Sequence, residues 1–478
     1  MSPQRTPPTA ETLEKLRHIA GDNGWIDTPV DIEPFVHEWR DRYVGKTPLV
    51  LLPNSVEKIS AILRVCQETG TPIVPQGGNT GAVAGGIPFE DGAEVVLSLT
   101  RLNKIRGVDP LTNTMTVDGG VVLQTIQETA DKYDRLFPLS LASEGSCQIG
   151  GNLATNAGGT AVLSYGNARD LVMGLEVVLA NGDIWNGLTG LRKDNTGYDL
   201  KHLFMGSEGT LGIITGAVLK LFPKPVARET CFLGIADPKS AIQLLSEAQS
   251  KFGKDVTTFE LMCRRGIDFV LAHQTGTRDP LSEECAWYLL MEVTTSLSGL
   301  DLKSSLEAFL SDASQNGLVL DGVVAASDAQ RQKLWAIREG IPEAQKPEGG
   351  SIKHDVSVPV SAIPEFLDRA TQAVADFLPG ARPVPFGHVG DGNIHFNISQ
   401  PTDMAREDFI ALWEEVNALV HDIVVALGGS ISAEHGIGRM KVDELARYKD
   451  PVALDLMRTL KKSLDPNNIL NPGKVVRV

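Results

Sequence analysis

Thr71-Pro-Ile-Val-Pro-Gln-Gly-Gly-Asn-Thr-Gly81-Ala-Val-Ala-Gly-Gly86 is the stretch that decides the fold. Its glycines (Gly77, Gly78, Gly81, Gly85 and Gly86), with Asn79 and Thr80, leave a run of unobstructed backbone N–H groups. Such a loop can cradle a pyrophosphate without any basic residue, although a set of β-turns explains the stretch equally well on its own. Upstream, residues 49–53 read as a strand and 55–68 as a helix capped by Ser55, with Glu57 in its first turn. Downstream, strands at 95–99 and 114–119 and a helix at 122–133 continue an α/β pattern. A second loop follows, Ser143-Glu-Gly-Ser-Cys-Gln-Ile-Gly150-Gly-Asn-Leu-Ala-Thr-Asn156-Ala-Gly-Gly159. Neither loop is a GxGxxG directly after a strand, so a Rossmann dinucleotide site is disfavoured.

Residues 171–179 and 183–185, joined at Asn181-Gly182, read as a β-hairpin with a strong two-residue turn signal. Pro223-Lys-Pro225 marks a domain boundary. Beyond it, strand-like runs at 231–235, 257–261, 286–293, 318–325, 352–358, 383–387 and 393–398 are interspersed with helical ones. The helical runs are 239–252, 301–314, 329–345, 364–377 and 406–427, with Pro364 suited to a first helical turn. This is the pattern of an α+β domain whose sheet is covered by helices. The division expected is an N-terminal segment 1–45, a first domain 46–225, a second 226–430 and a C-terminal segment 431–478.

The chemistry concentrates in Gly387-His388-Val389-Gly390-Asp391-Gly392-Asn393-Ile394-His395-Phe396-Asn397. The glycines and the Asp-Gly-Asn turn signal let the chain return His395 close to His388. After the turn, Asn393, His395 and Asn397 alternate with Ile394 and Phe396, as in a strand with one polar face. About forty residues on, Glu434-His435-Gly436 offers a carboxylate and a third imidazole. Two imidazoles and a carboxylate form a common ligand set for a catalytic divalent metal, while hydrogen-bonded core histidines are the alternative.

The formal net charge of −16 argues against nucleic acid or an anionic membrane surface as a general partner. No window approaches the roughly 18 uninterrupted apolar residues of a spanning helix. The N-terminus is polar and proline-rich, without the apolar core of a signal peptide. Cys66, Cys147, Cys231, Cys263 and Cys285 form no CxxC pair, which suits a reducing compartment and argues against a cysteine-ligated iron–sulfur cluster. A cytoplasmic protein is expected. At 478 residues the chain is too long for one core, so two or three domains are expected.

Read together, QGGNTG (76–81), SCQIGGNLATNAGG (146–159), GSEGTLGIIT (206–215), GHVGDGNIH (387–395), AEHGIG (433–438) and DPNNILNPGK (465–474) resemble one family. It is that of the FAD-dependent oxidoreductases of the vanillyl-alcohol oxidase / p-cresol methylhydroxylase type. Their D-2-hydroxyacid dehydrogenase branch (D-2-hydroxyglutarate, D-lactate and glycolate oxidase subunit relatives) is the nearest, over nearly the whole chain. The resemblance implies an α+β architecture: a two-subdomain FAD-binding domain, then a substrate (cap) domain with an antiparallel sheet covered by helices. A C-terminal segment then returns to the flavin.

Carried onto this sequence, it implies that Pro75, Gln76, Gly77, Gly78, Asn79, Thr80 and Gly81 hold the pyrophosphate. Ser143, Glu144, Gly145, Ser146, Gly150, Gly151, Asn152, Thr155, Asn156 and Gly158 would line the cofactor. Gly209 and Ile213 would lie near its adenine end and Asn471 near its ring. His388, His395 and Glu434 match divalent metal ligands, zinc being the expected ion; His435 matches the general base. Arg338 and Lys353 match residues that grip substrate carboxylates, and Asn397 stands beside the substrate. No residue stands where a covalent flavin bond would form, so FAD is expected to be non-covalent.

The implied reaction oxidises a D-2-hydroxy acid, D-2-hydroxyglutarate first, to the 2-keto acid by hydride transfer to flavin. An external acceptor (electron-transfer flavoprotein, quinone or cytochrome) is then required, and a homodimer is an open possibility. One departure bears on the substrate. Four positions after Arg338 the 2-hydroxyglutarate enzymes carry a hydroxyl residue, and here stands Pro342. The alternatives are the same chemistry on D-lactate or another small D-2-hydroxy acid and, more remotely, a metallohydrolase using His388, His395 and Glu434, or a non-enzymatic flavin-binding module.

Overall fold

Val95–Ser98 is buried along its whole length, as a strand covered on both faces requires. It lies between Val50–Leu51 and Ile73–Gln76, parallel to both, and Trp25–Ile26 adds an antiparallel edge. The helix Val56–Thr69 packs Ile59, Ile62, Leu63 and Cys66 into the core of this sheet. It begins at Ser55, whose Oγ accepts from the Lys58 N–H at 3.3 Å, and ends at Gly70 in the left-handed conformation. These features belong to a computed structural model of the chain, which describes residues 6–40 and 42–478.

A second sheet in the same unit is antiparallel, in the order Ile105–Asp109, Thr114–Asp118, Ile213–Lys220, Val172–Val178, Ile184–Gly187. Its last two strands form the hairpin expected around Asn181-Gly182, and Gly182 supplies the positive φ of 81°. Arg106 crosses the sheet to Asp118 at 2.6 Å and Glu176 at 2.7 Å.

The unit made of these two sheets takes in the chain up to 159, residues 166–224 and residues 435–478. Its C-terminal part closes an open edge. Ile73 N–H donates to Ile469 O at 2.7 Å, and Asn471 N–H donates to Ile73 O at 2.8 Å. A buried ion pair holds that return in place. Lys461 Nζ donates to Asp465 Oδ2 at 2.5 Å, Leu470 O at 2.6 Å and Thr210 O at 2.9 Å. Asp465 in turn accepts from the N–H groups of Ile469 and Leu470. Removing one partner strands a buried charge. Lys461→Met is therefore expected to destabilise the protein by about 3–5 kcal/mol in urea denaturation. A loss well under ~1 kcal/mol would show the pair to be dispensable.

The other unit comprises residues 160–165 and 225–434. Its sheet runs Asp321–Val324, Ala227–Ile235, Trp287–Thr295, Val256–Cys263, Arg382–His388, Asn393–Ser399, Ser351–Ile352, with Asp355–Ser357 also pairing Asn393–Ser399. Every pairing is antiparallel. Alternation sorts the strand residues between two cores. Phe259, Leu261, Leu289 and Met291 join residues of the helices Pro238–Phe252, Leu302–Gln315, Ile363–Phe377 and Trp413–Ala426. Met262, Tyr288, Leu290 and Phe386 instead join residues of Arg264–His273 and Asp328–Ala344.

Two expected elements are divided. The helix expected over 406–427 is two, Arg406–Ala411 and Trp413–Ala426, meeting at Leu412. The strand expected over 352–358 is interrupted at Lys353 and His354, where the His354 ring bonds the Phe396 carbonyl at 2.8 Å.

Candidate active site

In the first unit the two glycine loops meet. A Cβ on Gly78 would lie 2.1 Å from the Ser146 carbonyl oxygen, so only glycine allows this approach. Pro75 and Gln76 end the strand Ile73–Gln76, and Gln76 Nε2 donates to Phe35 O and Gly86 O, both at 2.8 Å. The Gln76 side chain thus ties the two ends of its own loop together. Asn79, at a φ of 54°, anchors it further through Nδ2 to Pro34 O and His37 O, each at 3.0 Å. Gly81 and Gly151 have no atom within 4 Å of an added Cβ, whereas Gly150 is locked 2.8 Å from Gly119 O.

Gln148 Oε1 and Asn152 Oδ1 are buried without a hydrogen-bond partner, and Gln148 lies against Gly77. Open space over two glycines beside two buried acceptors that lack donors fits a polar ligand such as a dinucleotide. Other residues of the loops serve the loops themselves. Ser143 O accepts from Ser146 N–H, Glu144 Oε2 from Gln127 Nε2 and Thr155 Oγ1 donates to Gly151 O. Asn156 Oδ1 accepts from Arg169 N–H at 2.9 Å. Gly209, at a φ of 70°, would bring a Cβ to 3.0 Å from Pro75, and Ile213 is a core residue. Asn471 commits its whole amide to protein: Nδ2 donates to Gly85 O and Glu208 O, and Oδ1 accepts from Lys474 Nζ.

In the second unit, antiparallel pairing of Arg382–His388 with Asn393–Ser399 returns His395 opposite Phe386. The His388 and His395 rings sit edge to face with centroids 5.7 Å apart. Glu434 completes a triad with one ligand atom from each residue, all within 4.8 Å of one another. Around it is a shell of carboxylates. His388 Nδ1 donates to Glu260 Oε1 at 2.5 Å, leaving Nε2 4.0 Å from Glu434 Oε1. Asp355 Oδ1 stands 3.7 Å from His395 Nδ1, while Asp355 Oδ2 accepts from the Glu434 N–H at 3.0 Å. Two imidazoles whose second nitrogens face carboxylates, plus a third carboxylate, fit a divalent ion well.

Glu260 is fully buried on the strand Val256–Cys263, directly opposite His388, and its Oε2 accepts from Arg338 Nε at 2.7 Å. Burial disfavours its charge, but His388 and Arg338 outweigh that and hold the carboxyl at about 2. Burial likewise works against charge on His388, and Glu260 overrides it, lifting the imidazole to about 9. An ion at Nε2 has to displace that proton, since ligating imidazoles bind through a neutral nitrogen.

Arg338 comes from the helix Asp328–Ala344, stacks 4.7 Å from the Phe386 ring centroid, and is 7% exposed. Pro342 lies one turn further along the same helix, so its missing N–H leaves the Arg338 carbonyl without its helical partner. Asn397 Nδ2 donates to Gln345 Oε1 at 2.8 Å, which fixes its orientation. Lys353 sits half-buried in the break between Ser351–Ile352 and Asp355–Ser357. His435 follows Glu434 in the chain and opens the last segment of the first unit. The sequence had pointed to neither Glu260 nor Gln345. A lone acid inside the apolar run Val256–Cys263 was the available signal.

Residues 224–475 match the family model for FAD linked oxidases, C-terminal domain, and residues 47–187 match that for an FAD binding domain. The chain belongs to the FAD-linked oxidase family. This FAD-linked oxidase is 39% identical over 467 residues to the mitochondrial D-2-hydroxyglutarate dehydrogenase of Arabidopsis thaliana, covering 98% of this chain and 82% of that one. It is 37% identical to a D-2-hydroxyglutarate–pyruvate transhydrogenase of Saccharomyces cerevisiae (98% and 94% covered). Identity is also 37% to a D-2-hydroxyglutarate dehydrogenase of Xanthomonas citri (94% and 93% covered). Among solved structures, p-cresol methylhydroxylase superposes with a TM-score of 0.73 at 17% identity, over 98% of this chain and 96% of that one. That likeness bears on the fold alone.

The expected α+β architecture and an FAD-dependent oxidoreductase of the D-2-hydroxyacid dehydrogenase type are borne out. The expectation of a cytoplasmic protein is not. Relatives from Arabidopsis thaliana, Bos taurus and Schizosaccharomyces pombe are named as mitochondrial proteins. The five cysteines are each buried and free. Among the described residues, no helix is long and apolar enough to cross a membrane.

Proposed function

We propose that this FAD-linked oxidase oxidises D-2-hydroxyglutarate to its 2-keto acid. The observation that carries the reading is the gathering of His388, His395 and Glu434 within 4.8 Å, with Arg338 tied to the same shell through Glu260. Such a site can hold a cation and a carboxylate side by side, which a 2-hydroxy acid needs and a neutral alcohol does not. Similarity to D-2-hydroxyglutarate dehydrogenases over nearly the whole chain supports the substrate class.

FAD, held non-covalently by the two glycine loops, supplies the hydride acceptor when bound. His388, His395 and Glu434 would hold a divalent cation, zinc in our reading, which would supply Lewis acidity toward the substrate. Arg338 engages Glu260 through Nε and presents its two Nη groups for a carboxylate gripped by parallel charge-assisted bonds. Lys353 adds a second positive charge for a dicarboxylate. Asn397, oriented by Gln345, offers a polar contact beside the reacting carbon. His435 takes the hydroxyl proton as the Cα–H leaves as hydride, a task suited to an imidazole near neutral pH. Re-oxidation falls to an external acceptor, an electron-transfer flavoprotein, quinone or cytochrome.

A smaller substrate is the second reading, favoured by Pro342, whose ring cannot donate to a distal carboxylate. Schizosaccharomyces pombe has a relative at 36% identity named as a putative D-lactate dehydrogenase. Anaerobic mixing of the FAD-loaded protein with each acid, following flavin absorbance, separates the two. Rapid bleaching by D-2-hydroxyglutarate alone is the expected result. Bleaching by D-lactate alone would transfer the reading to the smaller acid, and bleaching by neither would sink the substrate class.

A further inference from the structure

We infer that Glu260 is a positioning residue that selects which nitrogen of His388 faces the cation. The inference rests on the reading that His388, His395 and Glu434 hold a divalent ion.

A fully buried carboxylate is expensive, and a core ion pair with Arg338 alone would not require a second partner. Glu260 nevertheless divides its two oxygens, giving Oε2 to Arg338 Nε at 2.7 Å and Oε1 to His388 Nδ1 at 2.5 Å. Strand register explains the division. Glu260 and His388 are direct partners across Val256–Cys263 and Arg382–His388, so their side chains leave the sheet on one face. The helix Asp328–Ala344 covers that face and delivers Arg338. Because a carboxylate only accepts, Nδ1 keeps its proton when an ion binds, so the nitrogen that gives up its proton and offers a lone pair is Nε2, which faces Glu434.

The isosteric amide tests this logic. In Glu260→Gln one terminal atom accepts and the other donates. Arg338 has no lone pair, so it keeps the amide oxygen. The NH2 group then faces His388 Nδ1, which has to accept, and the ring proton moves to Nε2 where the ligand lone pair was. Glu260→Gln is expected to bind Zn²⁺ about 10- to 100-fold more weakly in competition with a chromophoric chelator, with FAD content unchanged. Removing the competing donor should undo the defect. In Glu260→Gln/Arg338→Met the amide oxygen is released to His388 Nδ1–H, and Zn²⁺ affinity should return to within a few-fold of the parent.

A lesion that merely loosened the core would grow worse with a second core substitution, so rescue excludes it, and Arg338→Met alone, expected to stay within a few-fold of the parent in Zn²⁺ affinity, excludes simple relief of positive charge. Unchanged Zn²⁺ affinity in Glu260→Gln overturns the inference, and so does a double variant that stays weak. Should the single variant fail to fold, Glu260→Leu/Arg338→Met, which offers His388 Nδ1 no acceptor, takes its place, and parental Zn²⁺ affinity there overturns the inference. His388→Ala separates the two levels of the argument. Parental Zn²⁺ affinity in that variant would remove the metal reading itself, whereas lost affinity there with none lost in Glu260→Gln removes only the role of Glu260.

Discussion

His435→Ala should purify yellow, with a full complement of FAD, and be reduced by D-2-hydroxyglutarate at least ~100-fold more slowly than the parent. Cofactor retention is expected because backbone hydrogen bonds hold the following residues of this loop in their unit. The N–H groups of Ile437 and Gly438 donate to Glu208 at 2.7 and 2.8 Å, and Val475 N–H donates to Gly438 O at 2.9 Å. On the mechanism proposed above, what disappears is the acceptor for the substrate's hydroxyl proton. Without it, the hydride would leave an alcohol that is still protonated, and the barrier rises on the scale of a lost general base. Stopped-flow reduction under anaerobic conditions measures the step apart from re-oxidation. A parental rate constant would take His435 out of the proton transfer.

The second large effect is expected from Gly78→Val, which should yield a colourless protein that does not take up added FAD. The added Cβ would sit 2.1 Å from Ser146 O, 2.9 Å from Ser146 C and 3.0 Å from Cys147 Cα. Every one of these is backbone, so no rotamer change relieves the overlap and the two loops have to separate. Gly107 is the matched control, on the strand Ile105–Asp109 with nothing within 4 Å of a new Cβ. Gly107→Ala should keep its flavin. Normal FAD absorbance in Gly78→Val would mean that the contact between the loops does not shape the cofactor site.

Local chemistry made much of this molecule legible in advance. Ser55 before an amphipathic run, Asn181-Gly182 between apolar runs and Pro364 in a first helical turn each act within a few residues, and each stands in the structure as expected. The turn that brings His395 back to His388 is of the same kind. Features that depend on distant partners were opaque. Glu260 meets His388 across 128 residues of chain, and the lone acid in its apolar run hinted at burial but not at this partner. Gln76 was expected at the pyrophosphate through the family resemblance, and the sequence did not show that its amide also fastens the loop to Phe35 and Gly86. Lys461 and Lys474 belong to a polar C-terminal stretch whose composition reads as solvated, while both are nearly inaccessible. The break at Leu412 was hidden because apolar residues continue through it at helical spacing.

The edge pairing of Ile73 with Leu470 sets a timetable for biosynthesis. The first glycine loop starts at the end of the strand Ile73–Gln76, and the segment that flanks this strand is translated about four hundred residues later. At roughly 5–20 residues per second, that is a delay on the order of 20–80 s. During it, the nascent chain carries an exposed parallel edge and a loop without the anchor that Asn471 gives to Gly85. The unit spanning 225–434 needs only residues 160–165 from elsewhere, all of them already made, so it can settle first. Closure of this edge, and of the unit that contains it, thus waits until the end of synthesis.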